Sequence, residues 1–500
     1  MTPTETLILA SYFFVVVVLA VYGWHRYYIV YLYMKHKHEK PRPQALFDSL
    51  PRVTVQLPIY NEMYVADRLI ESVCKLDYPR ELLEIQILDD STDETQAVAE
   101  NTVRRYADAG FDIVYLHRTD RTGYKAGALE AGLKVAKGEF VAIFDADFIP
   151  TPDFLMQSVH YFTDPKVAVV QARWGHLNSD YSLLTKIQSI LLDGHFVLEH
   201  GGRNRAGLFF NFNGTAGMWR RTAITDAGGW QHDTLTEDLD LSYRAQLKGW
   251  KFVFLPDLVA PAELPVEMNA FKSQQHRWAK GSIQTCRKLL PRILQSDLPL
   301  GVKVEAFFHL TANFNYPLMC VLSVLMAPSM IIRYNMGWYE MLLIDIPLFF
   351  AATASVANFY MVCQREIYPD WRTRIKYMPF MMSIGIGLTV NNTKAVFEAL
   401  LNKQSEFART PKYRIEGTGD EWLTKKYHQT LTAQPIIELA LGVYFTVTVF
   451  YALANGIYGT LPFLVLFQVG FLYTGLVSFV QQFAEHNVGL KPVAEGKELL

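Results

Sequence analysis

Cysteine is scarce: Cys74, Cys286, Cys320 and Cys363 are the only four in 500 residues, far apart and with no CxxC pair. That spacing argues against a disulfide framework or a cysteine zinc site, and reduced thiols are expected. Net charge is also nearly absent, at 47 Lys and Arg against 49 Asp and Glu, so the balance gives no argument for nucleic acid as a partner. No GxGxxG opens a strand–helix unit and no GxxxxGK[ST] occurs. Dinucleotide redox chemistry and a P-loop therefore have no sequence support. No small-residue cleavage site follows the first apolar run, so a retained anchor is expected there and not a signal peptide.

What the chain does have is apolar sequence in long blocks. Residues 7–24, LILASYFFVVVVLAVYGW, are nearly charge-free and about the length of a bilayer-spanning helix. Residues 40–299 have ordinary soluble composition, after which apolar runs return at 304–332, 341–363, 378–390, 435–454 and 461–483. The run at 378–390 is short and leads straight into NNTK, so it is read as interfacial or re-entrant. Arg26, Lys35, Lys37, Lys40 and Arg42 follow the first run and place that segment in the cytoplasm. The basic segments CQREIYPDWRTRIKY and NKQSEFARTPKYRIEG are expected on the same face. Five crossings, N-terminus outside and C-terminus inside, satisfy these constraints. The expected division is an N-terminal transmembrane helix at 1–28, a cytosolic α/β domain at 40–268, amphipathic interfacial helices at 269–300 and a helical membrane part at 301–500.

Within the soluble insert, RVTVQLPIY, LEIQILDD, DIVYLHR and EFVAIFDAD are short, β-rich apolar runs. Helix-like stretches at 64–76, 93–109 and 125–137 separate them, a pattern that predicts a parallel sheet of βαβ units. Ligands of such sheets bind beyond the carboxyl ends of the strands. There the chain places Asp89 and Asp90, ending the second strand, and Asp145 and Asp147, ending the fourth.

Taken singly, the motifs are ambiguous. Asp145 and Asp147 on alternate residues of an extended segment can converge on one Mg²⁺ or Mn²⁺ ion that also takes phosphate oxygens, or they are a polar turn. In LDDSTDET, Ser91 or Thr92 is a candidate N-cap, which leaves two acids at the strand end unexplained. Thr236, Glu237 and Asp238 precede a helix, as capping acids or as a carboxylate base. In SQQHRWAKG, a membrane-surface helix with snorkelling basic side chains accounts for Trp278 and the charges, but not for Gln274.

In this order, Asp90, Asp145-x-Asp147, Thr236-Glu237-Asp238 and Gln274-x-x-Arg277-Trp278 resemble the D, D, D, QxxRW pattern of family 2 glycosyltransferases. LPIYNE, GYKAGAL, FNGTAGMWRR, DAGGW, TEDLDLSYRAQLKGWKF and QQHRWAKG look like the cellulose synthase-like A and C branch, over about 53–288. The resemblance implies an α/β GT-A-type, Rossmann-like domain inserted in an α-helical transmembrane domain. It implies an inverting, processive transferase that adds hexose from UDP-glucose or GDP-mannose to a β-glycan acceptor and moves the chain across the bilayer. The alternative is a non-processive, ceramide-type lipid glycosyltransferase, although several crossings after the catalytic domain favour a polymer path. Localisation follows as an integral membrane protein of plasma, inner or Golgi-type membrane, its catalytic domain cytosolic.

The resemblance also assigns roles. Asp89, Asp90, Tyr60, Glu62, Lys125, Asp145, Asp147, Gln274 and Arg277 would bind the donor, with Mg²⁺ or Mn²⁺ on Asp145 and Asp147. Asp238 would be the general base with Glu237 beside it, and Trp278, Thr236, Asn213 and Gly214 would meet the acceptor. FARTPK is similar to the family's gating loop, within 403–430, through Phe407, Arg409, Thr410 and Lys412, although Arg409 stands where valine is usual. The chemistry suits these side chains: an indole stacks on a pyranose face, and a guanidinium fork matches a departing diphosphate.

Overall fold

In the computed structural model, residues 1–338, 347–348, 350–403, 409–423, 425–427 and 433–487 are described. Seven strands form one sheet among them: β1 (Val53–Ile59), β2 (Leu83–Asp89), β3 (Asp112–His117), β4 (Phe140–Ile143), β5 (Val167–His176), β6 (Gly217–Arg220) and β7 (Lys251–Ala262). β1, β2 and β4 are buried along their whole length. Alternation sorts their side chains onto two faces. Val53, Val55, Leu57 and Ile59 join Leu83, Ile85 and Ile87 in an apolar core with helix Ala66–Val73. The intervening polar residues pair across the strands, Thr54 donating to Glu84 (2.6 Å) and Gln56 to Gln86 (3.0 Å). Gly132 of helix Tyr124–Val135 lies against that ladder, where a Cβ would sit 2.6 Å from Gln56 Nε2.

The strand order is β3-β2-β1-β4-β6-β5-β7. β1 to β4 pair in parallel, as their helix-separated pattern predicts. The sheet as a whole is mixed, because β6 runs antiparallel to both β4 and β5 while β5 and β7 are parallel. The parallel expectation holds for the four runs it was drawn from, and the mixed character comes from β5, β6 and β7 beyond them. β6 is only GMWR, reached by a long excursion through helices 183–205, and no local periodicity announces its direction.

Among the described residues four helices are long and apolar enough to cross a membrane: Pro3–His36, Leu300–Asn335, Gln434–Ala454 and Tyr458–Phe483. The fifth expected crossing, at 341–363, lies partly outside the described residues. The run at 378–390 forms helix Met378–Gly387, which gives way at Leu388 to Thr389–Leu400. It packs on Leu461–Asn487 where two glycines meet, a Cβ on Gly387 falling 2.6 Å from the Gly470 carbonyl. Small residues allow such backbone contact between apolar helices. The long helix Met268–Gln295 joins the two halves of the molecule. Its buried Lys272 pairs with Glu438 of Gln434–Ala454 and donates to Ser478 Oγ (2.7 Å) on Leu461–Asn487.

Candidate active site

A cleft of about 1070 Å³, open mouth included, lies beyond the carboxyl ends of β1, β2 and β4. The turn after β1 contributes Tyr60 and Glu62 to its lining, and the end of β2 contributes Asp90. Lys125 comes from a helix start, Asp145 and Asp147 from the segment after β4, and Asn213 and Gly214 from the loop before β6. Thr236, Glu237 and Asp238 line it from the start of helix Glu237–Leu247, and Gln274, Arg277 and Trp278 from Met268–Gln295. Arg409, Thr410 and Lys412 complete the lining. Phe407 lies outside the described residues.

Asp89 is the exception. Its carboxylate is fully buried and accepts from Tyr115 Oη (2.6 Å), with His117 Nδ1 at 3.1 Å, so it braces β3 instead of lining the cleft. Neighbouring residues of a strand face opposite ways, and only Asp90 of the pair can reach the cavity. The structure therefore does not support a donor contact for Asp89. Asp90 arrives already paired, Arg118 Nε donating to its Oδ1 at 2.8 Å and Nη2 to its Oδ2. The Ser91 and Thr92 hydroxyls do not cap the following helix. Ser91 Oγ accepts from the Asn61 peptide N–H (2.8 Å) and Thr92 Oγ1 from the Asn61 amide (3.3 Å). Together they hold Asn61 at φ 52°, the turn that presents Tyr60 and Glu62. Helix Thr95–Asp108 starts instead with Asp93 Oδ1 accepting from the Thr95 N–H (2.9 Å).

Asp145 and Asp147 sit in a turn, the Phe148 N–H returning to the Asp145 carbonyl (3.0 Å), and not on an extended strand end. Both carboxylates still face the cleft. Each meets one lysine: Lys125 pairs with Asp145, and Lys412 Nζ lies 2.6 Å from Asp147 Oδ2. Burial raises the Asp145 carboxyl against the opposing pull of Lys125. Burial also works against the Lys125 charge, but Asp145 and Glu237 outweigh it and hold that ammonium above its usual range. Two cavity-facing carboxylates offer oxygen donors of the kind Mg²⁺ or Mn²⁺ takes.

Asp238 stands in the first turn of its helix, where burial, reinforced by Glu237, pushes its carboxyl up to about 7. Glu237 is likewise raised, chiefly by burial. A carboxyl near neutrality inside a cleft is poised for proton transfer. Opposite, Gln274, Arg277 and Trp278 are spaced i, i+3 and i+4 and share one helix face. One turn further, Gly281 touches the segment that carries Glu237 and Asp238: a Cβ there would lie 2.5 Å from Thr236 Cγ2 and 2.8 Å from its peptide nitrogen. Burial lowers the Arg277 guanidinium against the pull of Glu237 and Asp145.

Arg409, Thr410 and Lys412 line the cleft, and Tyr413, Ile415, Trp422 and Tyr427 pack beside it with Val266, Met63 and Tyr64. Arg409 faces Glu62 Oε1 (3.6 Å), whose carboxyl burial raises to about 7 despite that guanidinium. Glu263 accepts from the Tyr413 (2.8 Å) and Arg414 (3.0 Å) peptide N–H groups, and Tyr427 Oη bonds to Asp93. Sequence reasoning missed four participants. Arg118 and Arg121, the latter's guanidinium carbon 3.2 Å from the centroid of the Tyr60 ring, sit in RTDRTGYK, whose basic spacing carries no periodic signal. Glu263 and Gly281 act on partners distant in sequence; for Gly281 the one available signal was a glycine inside an otherwise good helix.

The family model described as "Glycosyltransferase like family 2" matches residues 51–281. The chain is 47% identical over 253 residues to glucomannan 4-beta-mannosyltransferase 2 of Arabidopsis thaliana, covering 50% of this chain and 47% of that protein. It is 44% identical over 277 residues to glucomannan 4-beta-mannosyltransferase 1 of Oryza sativa subsp. japonica, covering 54% and 53% respectively. The chain thus spans about half the length of the curated relatives it matches. Among solved structures, the mannosyltransferase PcManGT from Pyrobaculum calidifontis, in complex with GDP-Man and Mn²⁺, aligns with a TM-score of 0.51 at 20% identity. That alignment covers 78% of this chain and 99% of PcManGT, a likeness of fold.

Proposed function

From a chain whose residues 51–281 match a family 2 glycosyltransferase model, we propose an inverting, processive hexosyltransferase that extends a β-linked glycan with mannose from GDP-mannose. The observation that carries this reading is the convergence, in one cleft, of a raised carboxyl (Asp238), two cationic side chains (Lys125, Arg277) and a half-buried indole (Trp278). The choice of mannose and of guanosine rests on the names of the sequence relatives and on the ligand of the fold neighbour.

Asp238 takes the proton of the attacking acceptor hydroxyl, and attack opposite the leaving group turns an α-linked donor into a β-linkage. Arg277 and Lys125 face the diphosphate as negative charge develops on it. Trp278 stacks on the terminal sugar and holds its hydroxyl in line. Asp145 and Asp147 would hold a divalent cation, which when bound supplies charge neutralisation at the leaving diphosphate. Helix Met268–Gln295, tied through Lys272 to two candidate membrane spans, sets the transfer beside the path a growing chain would take.

The test is to incubate membranes containing the protein with radiolabelled GDP-mannose or UDP-glucose and digest the products with β-mannanase and β-glucanase. A polymer made from GDP-mannose and cut by β-mannanase is expected. Label recovered only in lipid extracts overturns the polymer, and polymer made only from UDP-glucose overturns the donor.

A further inference from the structure

Helix Leu183–Asp193 passes through a π turn at Gly194–His200 and continues as Gly201–Arg205. Side chains five residues apart on an α-helix point about 140° away from one another around the axis. An i→i+5 turn brings them to one side, and such turns mark functional positions in many folds. His195 and His200 are accordingly neighbours, their ring centroids 4.4 Å apart. Both meet the same partner, Asn213 of the cleft. Asn213 Nδ2 lies 2.9 Å from His195 Nε2, and its Oδ1 lies 2.6 Å from His200 Nε2. The Asn213 peptide N–H donates to Gln171 Oε1 (3.0 Å), so main chain and amide are both fixed. The next residue, Gly214, has φ +81°, accepts from Lys125 Nζ (3.0 Å), and would put a Cβ 3.0 Å from Asp238 Oδ2. The clamped residue thus precedes a glycine that lies against Asp238, and Asn213 and Asp238 line the same cleft.

The partners decide which ring nitrogens carry protons. His195 Nδ1 lies 3.0 Å from Glu199 Oε2, and a carboxylate only accepts, so Nε2 keeps its lone pair for the Asn213 amide. Burial opposes the Glu199 charge, but Arg203 (3.3 Å) and His195 outweigh it and hold that carboxyl well below its usual range. Arg203 Nε in turn donates to Glu305 Oε1 (2.8 Å), and His25 Nε2 meets Glu305 Oε2 (2.7 Å). The clamp is thereby anchored on two candidate membrane helices. Full burial keeps His200 neutral, with its Nε2–H shared between Asn213 Oδ1 (2.6 Å) and the Asn211 carbonyl (2.9 Å).

We propose that His195 and His200 are positioning residues for the acceptor. They lock the Asn213 amide so that its remaining N–H and lone pair face the sugar hydroxyl that Asp238 deprotonates. This rests on the transferase reading above. It assigns to the π turn a role in acceptor binding that no donor-side group shares.

The experiment uses the full chain in membranes, β-1,4-mannohexaose as acceptor probe and GDP-mannose as donor, with His195→Asn and His195→Gln normalised to folded protein. The Asn amide reaches the Nδ1 position and keeps the Glu199 contact, but falls short of Asn213. The Gln amide reaches the Nε2 position, where its oxygen accepts from Asn213. His195→Asn is expected to raise the acceptor KM about three- to ten-fold, the factor one neutral hydrogen bond carries. Its donor KM should stay unchanged, and a larger share of donor should be released as free sugar. His195→Gln should recover most of the loss. A wild-type acceptor KM in His195→Asn, equal impairment in both variants, or donor and acceptor KM rising together overturns the proposal. A wild type that extends no oligosaccharide overturns the reading of function and this proposal with it; extension by the wild type with an indifferent His195→Asn overturns this proposal alone.

Discussion

Replacing Gly281 by alanine adds one methyl group at the place where helix Met268–Gln295 touches the segment carrying Thr236, Glu237 and Asp238. The new Cβ would lie 2.5 Å from Thr236 Cγ2 and 2.8 Å from the Thr236 nitrogen, where ordinary contact begins at 3.4 Å. The threonine methyl can turn aside, but the peptide nitrogen cannot. Restoring ordinary contact takes a separation of 3.4 − 2.8, or 0.6 Å. Gln274, Arg277 and Trp278 lie within two turns on one side of that gap, and Glu237 and Asp238 follow directly on the other. A misplacement of this order near reacting groups costs on the order of 10²-fold in rate, so Gly281→Ala should transfer ten- to a hundred-fold more slowly. Helix stability runs the other way, since alanine is favoured over glycine by about 1 kcal/mol in a helix interior. The variant should therefore keep a near-normal Tm while losing transfer. The assay is sugar transfer by purified protein in lipid nanodiscs, with Tm and donor affinity measured on the same preparation. Wild-type turnover and acceptor KM in Gly281→Ala would refute a close approach of this kind.

Asp238→Asn keeps shape but cannot take a proton; transfer should fall by roughly two to four orders of magnitude with donor affinity retained, and near-normal turnover removes Asp238 from the mechanism. Because its carboxyl is raised to about 7, the ionised base is lost as pH falls through that value, so kcat/KM should decline on the acid side of neutrality. A profile flat down to pH 5 contradicts this assignment. Chelation should abolish transfer, and Mg²⁺ or Mn²⁺ should restore it through Asp145 and Asp147; full activity after exhaustive chelation leaves Lys125 and Arg277 to carry the charge. Trp278→Ala should shorten the product more than it weakens donor binding, stacking being worth about 1 kcal/mol by analogy with aromatic pairs, and product sizing decides the matter.

The first half of the sheet was legible because β1 to β4 are local apolar runs separated by helix-period stretches, each decided within about ten residues. The site motifs were legible for a similar reason: Asp145-x-Asp147, Thr236-Glu237-Asp238 and Gln274-x-x-Arg277-Trp278 each lie within a few residues at one element end. What escaped depended on contacts between distant segments. The reversal of β6 is fixed by pairing with β4 and β5, not by anything within GMWR. Asp89 and Asp90 look equivalent in the sequence, and only the facing of β2 separates the brace from the cleft residue. Ser91 and Thr92 had a sound local role as caps, which the tertiary demand of Asn61 overrode. The π turn at Gly194–His200 has no periodic signature, although it sets two histidines on one amide.

The pairing of Lys272 with Glu438 has an evolutionary consequence. The two side chains are 4% and 0% exposed, so losing either leaves an uncompensated buried charge, a change that costs about 3–5 kcal/mol. Exchanging both for apolar residues of similar volume is far milder. Positions 272 and 438 therefore behave as one heritable unit split between two distant stretches of coding sequence. Lineages should carry either the charged couple or an apolar couple, and rarely a hybrid. Recombination that joins the catalytic half of one such protein to the last two spans of another should fail wherever the two parents differ at this pair.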